Sequence, residues 1–179
     1  MIHDYLETLT STLPRVPREP IEEIVAILQR ARCEGKHIFL MGNGGSAATA
    51  SHFVNDLLKG VTQSGQPRFK VMCLADNVST LTAYANDTSY EMIFSEPLAA
   101  LAESGDVVLA LSGSGNSPNV LRAMDVAQEL GLTRIGLTGF AGGKLKAKCG
   151  VCVVVPSDSM QIIEDVHLAI LHSIFRALG

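Results

Sequence analysis

Several kinds of residue are scarce or absent in this 179-residue chain, and these absences narrow what it can be. It has no tryptophan, and aromatic residues make up 5% of it although 47% of its residues are hydrophobic. The core is therefore predicted to be aliphatic, as in parallel sheets covered by helices. The net charge is −4 and no run of Lys or Arg occurs, so we expect no nucleic-acid partner.

Signals for membranes and export are also missing from the sequence. No apolar stretch approaches the roughly 20 residues that a membrane-spanning helix needs. The first residues lack the order of basic and then apolar residues that marks a signal peptide. We therefore expect a cytoplasmic protein with no membrane partner.

Cysteine occurs only four times, at positions 33, 73, 149 and 152. Cys149 and Cys152 match the C-x-x-C spacing of a redox or metal-binding pair. Cys152 also begins a run of three valines, where a buried cysteine behaves as a small hydrophobic residue. Packing is the favoured interpretation of this pair.

Short aliphatic segments alternate with segments of helical spacing along the chain. The predicted strands are 37–41, 69–74, 107–111, 134–137 and 151–155. The predicted helices include a segment from Pro20 to a stop at Gly35, then 46–59, 78–84, 91–103 (interrupted by Pro97), 119–130 and 160–178, and a loop covers 64–67. This alternation predicts an α/β fold, a three-layer αβα sandwich with a five-stranded parallel sheet.

We expect one domain over residues 1–179, with an N-terminal helical segment at about 1–34 and an α/β core at about 36–179. In such doubly wound, flavodoxin-like sheets, ligands bind beyond the carboxyl ends of the strands. Three polar loops follow predicted strands there: 42–46, 76–77 and 112–117. The site is therefore sought among these loops.

The first loop is rich in glycine and leads directly from a predicted strand into a helix. Its candidate ligand-binding residues are Asn43, Gly44, Gly45 and Ser46. Glycine lets the backbone approach a ligand closely, and the free N–H groups at a helix N-terminus attract anions. The loop predicts a site for a phosphorylated small molecule.

The loop at 112–117 is rich in serine. Its candidate residues are Ser112, Gly113, Ser114, Asn116 and Ser117. Hydroxyls and helix-start N–H groups can together satisfy the oxygens of a phosphate, although the same residues also suit a plain turn and helix cap. Neither glycine loop matches a G-x-x-x-x-G-K-[ST] or G-x-G-x-x-G pattern, which disfavours nucleotide hydrolysis and dinucleotide binding.

Polar side chains at helical spacing follow the glycine loop and recur near the C-terminus. His52 and Asp56 share one helix face, where they could bind a metal, move protons or simply face solvent. Glu164 and His172 are ~12 Å apart along the last helix, so one metal would be hard for both to bind. His172 can transfer protons without that reach, and His167 is predicted to pack in the core.

Motifs spread over nearly the whole chain carry a family resemblance. They are Gly42–Ser46 with His52-Phe53, Leu81–Ala83 with Asn86-Asp87, Ser112–Pro118, Gly136–Gly139 with Gly142–Leu145, and Glu164–His172. In this order they resemble the sugar isomerase (SIS) domain proteins, specifically the phosphoheptose isomerase group.

The resemblance implies a homotetramer with an N-terminal helix at the subunit interface and active sites between subunits. It implies conversion of sedoheptulose 7-phosphate to D-glycero-D-manno-heptose 7-phosphate, or of a related sugar phosphate, through an enediol intermediate. Asp56 and His172 would be catalytic, and zinc would bind at His52, Asp56, Glu164 and His172. The substrate would contact Asn43, Gly44, Gly45, Ser46, Asn86, Asp87, Ser112, Gly113, Ser114, Asn116, Ser117 and Glu164.

Three positions depart from the family's pattern. Asp56 stands where Glu is usual, Glu164 where Gln is usual, and Gly113 where a hydroxyl residue is common. Asp56 is one methylene shorter, and Gly113 removes one hydrogen bond to the phosphate. The alternative function is a non-catalytic SIS domain that binds sugar phosphates or acts as a replication-initiation adaptor. Retention of His52, Asp56 and His172 favours the enzyme.

Overall fold

The computed structural model describes residues 2–61 and 65–179 and is an α/β structure, so the loop expected at 64–67 lies partly outside the described residues. The helices are α1 (Ile2–Thr12), α2 (Glu19–Glu34), α3 (Gly45–Asn55), α4 (Val78–Asp87), α5 (Ser95–Leu101), α6 (Pro118–Glu129), α7 (Leu145–Lys148) and α8 (Met160–Leu178). The strands are β1 (His37–Gly42), β2 (Lys70–Cys73), β3 (Val107–Ser112), β4 (Thr133–Thr138) and β5 (Val151–Val154).

The five strands form one parallel sheet in the order β2-β1-β3-β4-β5. This confirms the predicted flavodoxin-like arrangement. Gly42 pairs with Leu111 and Ser112 pairs with Thr138, so β1, β3 and β4 end close together at one edge. The strand order reverses between β1 and β3, which places a ligand crevice beyond their carboxyl ends.

Helices cover both faces of the sheet, and alternate residues of each central strand face opposite layers. In β1, Ile38 and Leu40 pack with side chains of α2, α3 and α8, whereas Phe39 and Met41 pack with those of α5 and α6. All four side chains are almost fully buried. Burial on both faces explains why the strands are continuous aliphatic runs rather than alternating ones.

The long C-terminal helix links the N-terminal segment to the core. With 19 residues, α8 is the longest helix of the described residues, and it carries Glu164, Asp165 and His172 outside its buried apolar stripe. The Tyr5 hydroxyl of α1 donates to Asp165 Oδ2 at 2.6 Å, and this hydrogen bond raises the pKa of Tyr5 to about 12. None of the helices in residues 2–61 and 65–179 has the length and apolar character to cross a bilayer.

Some element boundaries differ from the predicted ones. The helix predicted over 78–84 continues to Asp87, so Asn86 and Asp87 form its last turn. The predicted helix 91–103 is a 3₁₀ turn (Tyr90–Met92) followed by the short α5, whose first turn holds Pro97. Proline is tolerated there because first-turn N–H groups have no partner within the helix.

The helix predicted over 46–59 changes character at one of the candidate catalytic residues. The α-helix ends at Asn55, and residues Asp56–Gly60 form a π-helical turn. Such turns insert extra backbone into a helix and are frequent at functional sites. Asp56 therefore begins a wider turn than the sequence pattern indicated.

Candidate active site

The glycine loop and the start of α6 meet across the crevice between β1 and β3. Asn43 Nδ2 donates to Asn119 Oδ1 at 3.0 Å, and Asn119 Nδ2 donates to Asn43 Oδ1 at 2.8 Å. The Tyr90 hydroxyl donates to the same Asn43 Oδ1 at 3.1 Å. Asn43 is thus held from two sides at the sheet's topological switch point.

The serine loop presents clustered hydroxyls immediately before α6. Ser112 Oγ and Ser117 Oγ lie 3.2 Å apart, and Ser112 is only 4% exposed. Ser117 precedes the first turn of α6 without its side chain capping the helix. The Ser117 hydroxyl can therefore turn to a ligand without the loss of a cap.

The rest of the serine loop is shaped by its own hydrogen bonds. The Asn116 N–H donates to Ser114 Oγ at 3.2 Å, and Asn116 Nδ2 donates to the Ser114 carbonyl at 2.9 Å. Asn116 Oδ1 accepts the backbone N–H of Lys144 at 3.1 Å. Ser114 and Asn116 thus tie the loop to the segment after β4, and these bonds hold the loop's shape.

Met160 accounts for the small residue at position 113. A Cβ atom built on Gly113 would lie 2.3 Å from Met160 Sδ, far inside van der Waals contact. The space that a hydroxyl side chain would need is therefore filled by the first residue of α8. Gly113 and Met160 form a matched pair in this chain.

Two histidines and one carboxylate converge from α3, the π-helical turn and α8. His52 Nε2 lies 3.2 Å from His172 Nε2 and 3.5 Å from Asp56 Oδ2, and His172 Nε2 lies 3.7 Å from Asp56 Oδ2. Asp56 Oδ2 is buried and makes no hydrogen bond. The cluster therefore concentrates two imidazoles around one buried carboxylate oxygen.

These three side chains fit a divalent transition metal. One ligand atom from each lies within 4.8 Å of the others, as expected of groups that can bind one ion. Two imidazoles and a carboxylate are donors that zinc accepts, with a further position left for water or substrate. The buried Asp56 oxygen is a site where a cation would replace the missing hydrogen bond.

Glu164, the expected fourth ligand, lies elsewhere. A Cβ atom built on Gly45 would be 2.9 Å from Glu164 Oε2, so this carboxylate rests against the first residue of α3. It is not part of the described set of potential metal ligands. Negative charge is favourable at a helix N-terminus, so Glu164 already supplies an anion at the start of α3.

The remaining polar candidates are buried or make hydrogen bonds that serve the fold. His167 is 1% exposed, and its burial lowers its pKa to about 4, as its predicted core location requires. Cys149 Sγ donates to the Leu145 carbonyl at 3.2 Å, and a hydrogen bond with Cys152 raises the pKa of Cys149. In the loop at 76–77, Asp76 accepts a hydrogen bond from Ser51 at 3.2 Å, and Asn77 caps α4.

The motif order and the fold point to one family. The profile of the SIS domain matches residues 4–139. The chain belongs to the SIS domain family. This confirms the predicted resemblance to the SIS domain family. The similarity to the phosphoheptose isomerase group is confirmed by the relatives described next.

The relatives are similar over most of their length. The phosphoheptose isomerase of Aliarcobacter butzleri is 38% identical over 172 residues, which cover 96% of this chain and 90% of that protein. The phosphoheptose isomerase of Trichlorobacter lovleyi is 39% identical over 153 residues, covering 86% of this chain and 78% of that protein. A phosphoheptose isomerase structure from Francisella tularensis superposes with a TM-score of 0.92 at 28% identity, covering 99% of this chain and 95% of that one.

In this SIS domain, no hydrogen bond described for residues 2–61 and 65–179 joins Asn86 or Asp87 to the glycine loop, the serine loop or the histidine–carboxylate cluster. Asn86 Nδ2 donates to Asp87 Oδ1 at 2.8 Å, and both are exposed at the end of α4. Tyr90 follows three residues after Asp87, and its hydroxyl does reach the glycine loop. Their role towards a substrate stays a prediction.

Sequence reasoning missed Asn119 and Tyr90 in this SIS domain. Asn119 is two residues beyond the serine loop and is 2% exposed. The sequence could have indicated Asn119, because a polar residue immediately after Pro118 stands at a helix start, where backbone N–H groups are unpaired. Tyr90 had none, since its contact with Asn43 spans 47 residues.

Proposed function

We propose that this protein is an aldose–ketose isomerase that converts sedoheptulose 7-phosphate to D-glycero-D-manno-heptose 7-phosphate through an enediol intermediate. The observation that carries the proposal is the convergence of His52, Asp56 and His172 within 4.8 Å. The names of the relatives support the same substrate class. The serine loop supplies hydroxyls for the phosphate.

The reaction moves two protons without a net change in oxidation state. A base takes the proton from C1 of the ketose while the C2 carbonyl oxygen gains one, which forms the enediol. The enediol then loses the proton of its C1 hydroxyl and regains one at C2, which forms the aldose. We assign the base and the proton shuttle to Asp56 and His172 when they hold no metal, because a carboxylate and an imidazole with free lone pairs can accept and return protons.

Zinc is the metal that we propose at this cluster, with His52, Asp56 and His172 as its ligands. When bound, it would supply a Lewis acid that polarises the carbonyl oxygen. His52 contacts both other members of the cluster and so orients them. The carboxylate of Glu164, at Gly45, is assigned to the sugar side of the pocket.

A homotetramer with active sites between subunits, working in the cytoplasm, is part of the same proposal. Exposed apolar side chains on α1 support assembly, with Ile2 83% and Leu6 54% exposed. An apolar groove between the N-terminal segment and α8 adds to this surface, lined by Leu13, Val16, Ile21, Val166 and Ile170 among others. A charged sugar phosphate does not cross membranes unaided, which supports an intracellular site of action. Light scattering on the purified protein measures the assembly, and a monomer would contradict it.

Incubation with sedoheptulose 7-phosphate, followed by NMR, tests the activity. We expect a new aldose phosphate and, in D₂O, deuterium at the carbon that regains a proton. His172→Ala should abolish conversion with the fold intact, while His37→Ala, which changes a half-exposed histidine at the opposite, amino end of β1, should retain it. No conversion by the wild-type protein despite binding would favour the non-catalytic sugar-phosphate-binding alternative.

A further inference from the structure

We propose that Asn119 and Tyr90 are positioning residues. They fix the orientation of the Asn43 side-chain amide so that its free N–H can donate a hydrogen bond to a substrate oxygen. The inference rests on the proposed isomerase function and adds two residues to it. It follows from the directions of four hydrogen bonds in the crevice between β1 and β3.

The orientation of the Asn119 amide is set by the backbone. The N–H of Val120 donates to Asn119 Oδ1 at 3.0 Å. A backbone N–H can only donate, so its partner must be the oxygen of the amide and not the nitrogen. Asn119 is 2% exposed, so water cannot replace these hydrogen bonds if the amide oxygen and nitrogen change places.

Asn119 in turn sets the orientation of Asn43. The two amides exchange a pair of hydrogen bonds, from Asn119 Nδ2 to Asn43 Oδ1 and from Asn43 Nδ2 to Asn119 Oδ1. Turning Asn43 over would bring nitrogen against nitrogen and oxygen against oxygen, which loses both bonds. The N–H of Val120 thus determines the orientation of Asn119, and Asn119 determines that of Asn43 in the glycine loop.

Tyr90 completes the arrangement. Its hydroxyl donates to Asn43 Oδ1, which then accepts two hydrogen bonds and has no free lone pair. Asn43 Nδ2 uses one of its two N–H groups on Asn119, and no hydrogen bond described for residues 2–61 and 65–179 uses the other. The half-buried Asn43 therefore offers a donor and no acceptor.

A committed donor suits the chemistry of an enediol intermediate. The oxygens at C1 and C2 gain negative charge as the proton leaves carbon, and a fixed N–H stabilises such charge without reorganisation. A reversed amide would place its oxygen against that charge. Asn119 and Tyr90 thus act on the reaction through Asn43.

The test is a double-mutant cycle with Asn43→Ala and Asn119→Ala. Ala removes the amide donor without burying a new charge beside the crevice, so Asn43 loses the partner that fixes its direction. We expect kcat/KM to fall about tenfold or more, the order expected for one hydrogen bond to a charged oxygen. On the Asn43→Ala background the same substitution should change kcat/KM by less than about twofold, because it acts only through Asn43. Additive losses would overturn the proposal.

Tyr90→Phe is the second variant, since it removes one hydroxyl from an exposed side chain and does not threaten folding. We expect a loss of kcat/KM that also vanishes on the Asn43→Ala background, and equal losses on both backgrounds would count against Tyr90.

NMR of the Asn43 side-chain amide provides a readout that does not depend on activity. One Nδ2 proton should exchange slowly and the other fast, and sedoheptulose 7-phosphate should shift the fast one. Two equally fast protons would refute the orientation even if the wild-type protein proves inactive, which would refute the proposed function separately.

Discussion

His52 and His172, which are 120 positions apart in the chain, place their Nε2 atoms 3.2 Å from each other. The two rings meet edge to face, with centroids 5.0 Å apart and planes inclined by 62°. Asp56 Oδ2 lies within 3.7 Å of both nitrogens. The three groups therefore form one cluster, in which a change at one alters the surroundings of the other two.

The first prediction concerns metal binding by this unit. Zinc affinity, measured by competition with a chelator, should fall at least about tenfold in His52→Ala, His172→Ala and Asp56→Asn, because each removes one ligand atom. Glu164→Ala is the matched control and should bind zinc as the wild-type protein does, since Glu164 lies at Gly45. A large loss in Glu164→Ala would restore Glu164 to the ligand set.

The second prediction concerns the π-helical turn that begins at Asp56 and ends at Gly60. A Cβ atom on Gly60 would lie 2.5 Å from Cε2 of Phe175, so Gly60→Ala must displace the ring or the turn. We expect the free energy of unfolding to fall by about 1–3 kcal/mol and kcat/KM to fall with it, because the turn carries Asp56. Urea denaturation and initial rates measure both quantities.

Phe175→Leu provides the control for this pair. A smaller side chain makes room for the new methyl group, so Gly60→Ala should cost less stability on that background than alone. Equal costs on both backgrounds would show that the ring contact does not hold the turn.

The third prediction concerns the matched pair Gly113 and Met160. Gly113→Ser alone should raise KM, because Met160 occupies the space of the new side chain and either the Met160 side chain or the serine loop must shift. Combining it with Met160→Ala should lower KM below that of Gly113→Ser, since the hydroxyl can then reach the phosphate. Met160→Ala alone is the control, and a double variant no better than Gly113→Ser would contradict the interpretation.

The fourth prediction concerns stability at acidic pH. The pKa of His167 falls from 6.5 to about 4 through burial in the folded protein, so the unfolded chain binds a proton more readily between these values. His167 costs no stability above pH 6.5, and as pH falls from 6.5 towards 4 the free energy of unfolding decreases by about 3 kcal/mol on its account.

His167→Leu should remove that part of the pH dependence. Urea denaturation at pH 7 and pH 4.5, at equal protein concentration, should show a smaller drop in unfolding free energy for the variant than for the wild-type protein. An equal drop would mean that His167 does not titrate on unfolding in this range.

Much of the fold followed from local patterns. The five strands, the helix before Gly35 and the helices after the glycine and serine loops were predicted because apolar spacing and stop residues are local signals. The helix boundary at Asp87 was wrong, since the Asn86-Asp87 pair reads as a turn signal and yet continues α4. The π-helical turn was missed because Gly60 packs against Phe175, a contact 115 positions away in the chain.

The site residues likewise fall into those that local patterns predicted and those that packing decided. His52 with Asp56 could be predicted from i, i+4 spacing, and the serine loop from its composition. Neither pattern showed that His172 would complete the cluster while Glu164, on the same helix, would face Gly45. The family resemblance supplied His172, and the packing of α8 against α3 showed which side chain it brings to which position.

The sequence by itself determined the order of strands and helices, the placement of polar loops after β1 and β3, and the kinds of groups available for catalysis. These depend on periodicity and composition within short segments. Only the tertiary structure decided that the Asn43 amide is held as a donor by Asn119 and Tyr90, and that Asp56 lies between two histidines. Such pairings depend on the directions of side chains brought together by packing, and no local pattern encodes them.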